Sequence, residues 1–183
     1  DNTLSPEACG RTVGVDATSP TGTDGQRFKW VLHESAPGMY DRILLPTDGS
    51  DGTEQLLEHA VEIAAGRDAT IHALSVVDRR LYLAADEEQK PALKRSLETD
   101  ARAAVDDVAD GAAAAGVDCA TVVRDGVPYR IILEYAAERP VDLIVMGTHG
   151  RSGRDKLANL GSVTERVVEN TDTPIMVVRM TDA

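Results

Sequence analysis

From residue 40 onward, short apolar runs alternate with stretches of helical periodicity. Residues 42–47, Arg-Ile-Leu-Leu-Pro-Thr, form a short apolar run closed by turn residues and predict a first strand. Leu56, Leu57, Ala60, Val61 and Ala64 follow at helical spacing and predict a helix over 51–66. Ser50 and Asp51 are candidate N-caps for it, and Gly66 stands where a helix commonly stops. A second strand is predicted over 70–77, a long Ala-rich helix over 86–115 ended by Gly116, and a third strand over 117–124. Pro128 opens another helix that halts before Pro140 and presents Ile131, Ile132, Tyr135 and Ala136 on one face. Residues 141–146 read as a buried strand, 162–170 as a short helix, and 174–179 as a fifth strand.

Strands alternating with helices predict an α/β fold with a parallel sheet, right-handed crossovers and helices on both faces. Ligands of such sheets bind outside the carboxyl ends of the strands, where the strand order reverses. The loops after Pro46, Val77 and Met146 are therefore the candidate sites. The first 38 residues differ: rich in Thr, Ser, Gly, Pro and Asp, they show no sustained period. They read as a disordered or loosely attached extension, with a domain over 39–183 starting at Met39-Tyr40.

Composition narrows the functional classes. A formal charge of −12, from 31 acidic and 19 basic residues, disfavours a nucleic-acid or anionic-membrane partner. With one Phe and one Trp there is little to stack on bases. Only Lys29, Lys90, Lys94 and Lys156 are lysines; few lysines among many carboxylates suit solubility in a salty cytoplasm, alongside the plainer reading of an ordinary acidic protein. Cys9 and Cys119 define no disulfide framework or metal spacing. No signal peptide or apolar run of membrane-spanning length is visible, and the expected location is cytoplasmic.

The richest chemistry lies after the fourth predicted strand, in Gly147-Thr-His149-Gly150-Arg151-Ser-Gly153-Arg154-Asp-Lys156, ending at Gly161-Ser162. Closely spaced glycines let backbone amides turn toward a ligand. Ser162-Val-Thr-Glu165 has the pattern of a capping box, and a helix N-terminus attracts phosphate oxygens. Arg151, Arg154 and Lys156 add positive charge, so the segment suits a di- or triphosphate. The alternative is a surface loop with a routine helix cap. The spacing matches neither a Walker A loop nor a dinucleotide fingerprint. The loop Pro46-Thr47-Asp48-Gly49-Ser50 would complete the site, with Asp48 on a ribose hydroxyl or bracing the turn. His149 suits a phosphate contact better than acid–base work. No catalytic triad, metal spacing or carboxylate pair stands out, so no catalytic residue is assigned.

These residues together resemble the universal stress protein (UspA-type) family over about residues 40–179. The resemblance rests on Arg42-Ile-Leu-Leu-Pro-Thr-Asp-Gly-Ser50, on Gly147-Thr-His-Gly-Arg-Ser-Gly153, and on Gly161-Ser-Val-Thr-Glu-Arg166. It implies a Rossmann-like, five-stranded parallel sheet in the order 3-2-1-4-5, dimerising through the strand Ile175 to Val178. It also implies the nucleotide-binding branch, whose ATP, with or without Mg²⁺, would meet Asp48 at the ribose and the Val76 backbone at the adenine, beside Pro46 and Thr47. Gly147, His149, Gly150, Arg151, Gly161, Ser162 and Val163 would surround the phosphates and ribose, with Met146 and Gly153 in the same segment. This chain has ten residues between Gly150 and Gly161 where the family pattern has nine. The implied function is a nucleotide-holding stress or signalling module with at most slow ATP hydrolysis. An enzyme using ATP, or a dimeric interaction protein without nucleotide, are the alternatives.

Overall fold

The β-branched and leucine-rich runs pair into a sheet whose pleat sends alternate side chains to opposite faces, each covered by helices. The computed structural model describes residues 40–65, 68–148 and 160–179. The expected extension over 1–38, and the loop residues His149, Gly150, Arg151 and Gly153, lie outside the described residues. In chain order the elements are β1 (Arg42–Pro46), α1 (Thr53–Ala64), β2 (Thr70–Asp78), α2 (Arg79–Leu83), α3 (Lys90–Ala114), β3 (Asp118–Gly126), α4 (Pro128–Glu138), β4 (Leu143–Gly147), α5 (Ser162–Asn170) and β5 (Ile175–Val178).

The strands form one five-stranded sheet in the order β3-β2-β1-β4-β5, and every pairing is parallel. Ile43, Leu45, Ile71, Ala73, Leu143 and Val145 point to one face, against Leu56 and Ala60 of α1 and Val105 and Val108 of α3. Leu44, Leu74, Ile144 and Met146 point to the other, against Ile131, Ile132 and Tyr135 of α4 and Val167 of α5. The α1–α3 approach is close because position 111 is glycine: a Cβ there would run into the Leu57 side chain.

Local chemistry accounts for most element boundaries. Helix α3 ends at Gly116, whose φ of +72° is a left-handed conformation that glycine adopts without strain. The Gly116 amide donates to Ala113 and the Val117 amide to Ala112, closing the Schellman pattern. Several expected boundaries are corrected. Ser50 and Asp51 do not cap α1: the N-cap is Gly52, with no side-chain cap bond. The long helix begins at Lys90 rather than at residue 86, with Pro91 in its first turn. The short helix α2 was not expected; Asp78 caps it by accepting from the Arg80 amide, directly at the end of β2.

Candidate functional site

The strand order reverses between β1 and β4. β1 pairs with β2 along its whole length, from Arg42 with Thr70 to Pro46 with Leu74. Its register with β4 covers only Ile43 with Leu143 and Leu44 with Ile144. Proline has no amide to donate, and the next amide, that of Thr47, turns to Leu74 O at 2.9 Å. The chain thus leaves β1 on the β2 side and opens a crevice toward the carboxyl end of β4, where open parallel sheets bind ligands.

The turn after β1 is set by short polar side chains. The Gly49 amide donates to Thr47 Oγ1 at 3.1 Å, the Ser50 amide donates to Asp48 Oδ1 at 3.1 Å, and Gly49 takes a φ of +69°. Thr47 is buried, its Oγ1 3.0 Å from Thr53 Oγ1 of α1. Asp48 braces the turn and remains exposed at the rim.

On the other side of the crevice, β4 runs into Gly147 and Thr148, and α5 begins close by. Thr164 Oγ1 donates to the Gly147 carbonyl at 2.8 Å in a buried bond. The Gly161 amide donates to Thr148 O at 2.7 Å, and the Thr148 amide to Val178 O of β5 at 2.9 Å. The two described ends of the glycine-rich segment are therefore tied to each other. The expected capping box is not formed: Gly161 is the N-cap, in an extended conformation, no side chain caps the helix, and Ser162 is already its first residue. The first helical donor is the Glu165 amide, to Gly161 O at 2.9 Å. The amides of Ser162, Val163 and Thr164 thus precede the helical ladder, the arrangement that makes a helix start attract anions.

The structure brings several sequence-selected residues onto one face. Met146 belongs to the apolar cluster beneath α4 and α5, and Val76 and Val163 pack against it. Pro46 follows Leu44 by two residues and so takes the same side of the sheet. Pro46, Val76, Met146 and Val163 thus share the α4–α5 side near the strands' carboxyl ends, with Gly147, Gly161 and Ser162 adjoining. Asp48 lies one turn beyond Pro46. Shallow hollows also occur along α3 and β3, lined by Arg102, Asp106 and Thr121 in one case and by Asp110 and Cys119 in another. Neither lies at the switch point. Cys119 is half-buried there, and burial pushes its thiol pKa up, away from a reactive thiolate. Among the described residues no group of three or more His, Cys, Asp or Glu gathers to hold a metal, and no helix is long and apolar enough to cross a membrane.

The sequence and fold both have close counterparts. A curated relative, universal stress protein MJ0531 of Methanocaldococcus jannaschii, is 37% identical over 142 residues, spanning 77% of this chain and 83% of its own. The structure of MJ0577, a universal stress protein of the same organism, superposes with a TM-score of 0.73 at 30% identity, covering 79% of this chain and 99% of that one. A universal stress protein solved in complex with cAMP superposes with a TM-score of 0.53 at 25% identity, covering 76% of this chain and 97% of its own. The model of the universal stress protein family matches residues 39–179, and with this sheet order and these relatives the chain belongs to that family.

Proposed function

We propose that this protein binds ATP or a related adenine nucleotide at the β1–β4 crevice and acts as a stress-response or signalling module rather than a fast catalyst. The observation that carries the reading is the convergence of Pro46, Val76, Met146 and Val163 on one side of the switch point, beside the uncapped start of α5. The donor set suits the ligand. Small apolar side chains accept the flat faces of a base, the Val76 backbone offers its edge partners, and Asp48 can accept from a ribose hydroxyl. The amides at the start of α5 suit phosphate oxygens, and any Mg²⁺ would arrive with the phosphates. The cAMP complex of a relative supports an adenine ligand.

The residue in excess of the family spacing falls between ends that remain joined by the Gly161–Thr148 bond, which supports an intact phosphate end. The module reading also includes a homodimer through β5, an edge strand whose Met176 and Val177 are each 36% exposed. The test is thermal unfolding of the full chain with rising ATP–Mg²⁺, and sedimentation of the same samples. Ligand at 100 times its Kd stabilises by about 2.7 kcal/mol, so a clear upward shift in Tm and a dimer mass are expected. A flat titration to millimolar ATP rejects the nucleotide reading, and a monomer mass rejects the dimer.

A further inference from the structure

One side chain at the open end of the α4–α5 side is absent from the residues the sequence pointed to. Tyr129 is the second residue of α4, immediately after Pro128, and is carried to the carboxyl end of the sheet by the turn out of β3. It is only partly buried and packs against the same apolar cluster as Val76 and Val163. In a chain with 3% aromatic residues, a tyrosine at this place is conspicuous.

Its ring is held from outside by two cations. The Arg166 guanidinium of α5 lies 4.9 Å from the ring centroid and that of Arg130 lies 5.7 Å away. Arg130 Nε also donates to Tyr129 Oη at 3.0 Å. The bond from Arg130 draws the phenol pKa below its ordinary value, with the nearby positive charges of Arg130 and Arg166 acting in the same direction. A phenol that accepts from a guanidinium still has its own proton to donate, and is a stronger donor for it. Arg166 stands four residues after Ser162, so the Tyr129–Arg166 stack also fixes α4 against the helix whose start forms the phosphate end.

Resting on the adenine-nucleotide reading, we propose that Tyr129 is a specificity-determining residue of the site. Between α4 and α5 it forms the side wall of the base subsite, with its hydroxyl donating to a ring nitrogen of a purine. The rigid wall sets a depth that a bicyclic base fills and a pyrimidine leaves partly empty. Arg130 and Arg166 are positioning residues that hold the ring at its angle.

The experiment is calorimetric titration of the full chain and of Tyr129→Ala, Tyr129→Phe and Arg166→Gln with ATP, CTP and inorganic triphosphate. The wild type should prefer ATP to CTP. Tyr129→Ala should weaken ATP roughly tenfold and CTP less, leaving triphosphate unchanged, while Tyr129→Phe, which keeps the wall, should lose about threefold in ATP alone. Arg166→Gln should reduce the ATP-to-CTP ratio without a matching loss for triphosphate. If the wild type binds none of the three, the nucleotide reading itself fails. If it binds ATP and Tyr129→Ala keeps both affinity and ratio, the wall is overturned; if Tyr129→Phe keeps them, the hydroxyl contact is overturned, and in both cases the nucleotide reading stands. Equal losses for ATP and triphosphate also overturn the wall, because they place the effect at the phosphate end or in the fold. Should Tyr129→Ala not fold, Tyr129→Phe and Arg166→Gln decide.

Discussion

The two sides of the sheet are built to different specifications. The α1–α3 side is packed with Ile43, Leu45, Ile71, Ala73, Val105, Val108 and Val145, all at 2% exposure or less. Its buried polar side chains are Ser75, within β2, and Thr47, just beyond the end of β1, which meets α1 through Thr53. The α4–α5 side carries polar groups within its layer: His72 against Tyr135, and Thr164 against the Gly147 carbonyl. At the strands' carboxyl ends its apolar layer stays partly open, with Val76, Tyr129 and Val163 only half-buried. One side therefore supplies most of the dry packing, and the other combines packing with directional side-chain hydrogen bonds. Stability and binding should be separable by side.

The largest effect is expected on the closed side. Ile71 is fully buried in β2, an interior strand between β3 and β1, and Ile71→Ala removes methylenes from a layer with little freedom to collapse. A loss of about 2–5 kcal/mol follows, read by denaturant unfolding. Nucleotide affinity per folded molecule should stay at the wild-type value. A large loss of affinity in the folded fraction would break the comparison.

A smaller effect, of a different kind, is expected from Thr164→Val. The change keeps the shape but removes the hydroxyl that donates to Gly147 O, leaving a buried carbonyl short of a partner at a cost of about 1–3 kcal/mol. Here stability and ATP affinity should fall together, because the same bond seats α5 against β4. Chemical unfolding combined with ATP titration checks it; a stability loss with full affinity retained would detach Thr164 from the site.

The contrast between sides also explains what could be read from the chain. Strands and long helices were legible because burial writes itself into periodicity: the run at 141–146 became β4 at Leu143–Gly147, and the helix opened by Pro128 ran to Glu138 as expected. The sheet order came from the family resemblance rather than from any periodicity, and the pairing bears it out. Caps were less legible, since several polar residues compete for one helix start. Ser162 and Glu165 have capping-box spacing, yet Gly161 takes the cap and the neighbouring Thr164 hydroxyl is used across the chain on Gly147. Ser50 and Asp51 lost the start of α1 because the preceding turn is closed by Thr47 and Asp48. Helix α2, at five residues, is too short to show a period. Tyr129 carries no signal in the sequence because its setting depends on Arg166, a residue on another helix.

The smallest effect concerns pH, and it belongs to the α4–α5 side alone. His72 is 8% exposed, with Nδ1 2.7 Å from Tyr135 Oη. Burial lowers its pKa below the ordinary histidine value of 6.5, and the charges of Arg139 and Arg42 push the same way. Between that lowered value and 6.5 the unfolded chain takes up a proton that the native state refuses. Stability should therefore be insensitive to this group above 6.5, fall as pH drops through 6.5, and level off below the native pKa. Carboxylates and other groups titrate as well, so the informative quantity is the difference between the wild type and His72→Gln, which keeps a hydrogen-bonding group facing Tyr135. Unfolding free energies measured from pH 8 to 5 should show the wild type losing more than the variant as acid is added. Parallel curves would mean that the buried imidazole does not distinguish folded from unfolded protein, and the polar layer on this side would then be inert to pH.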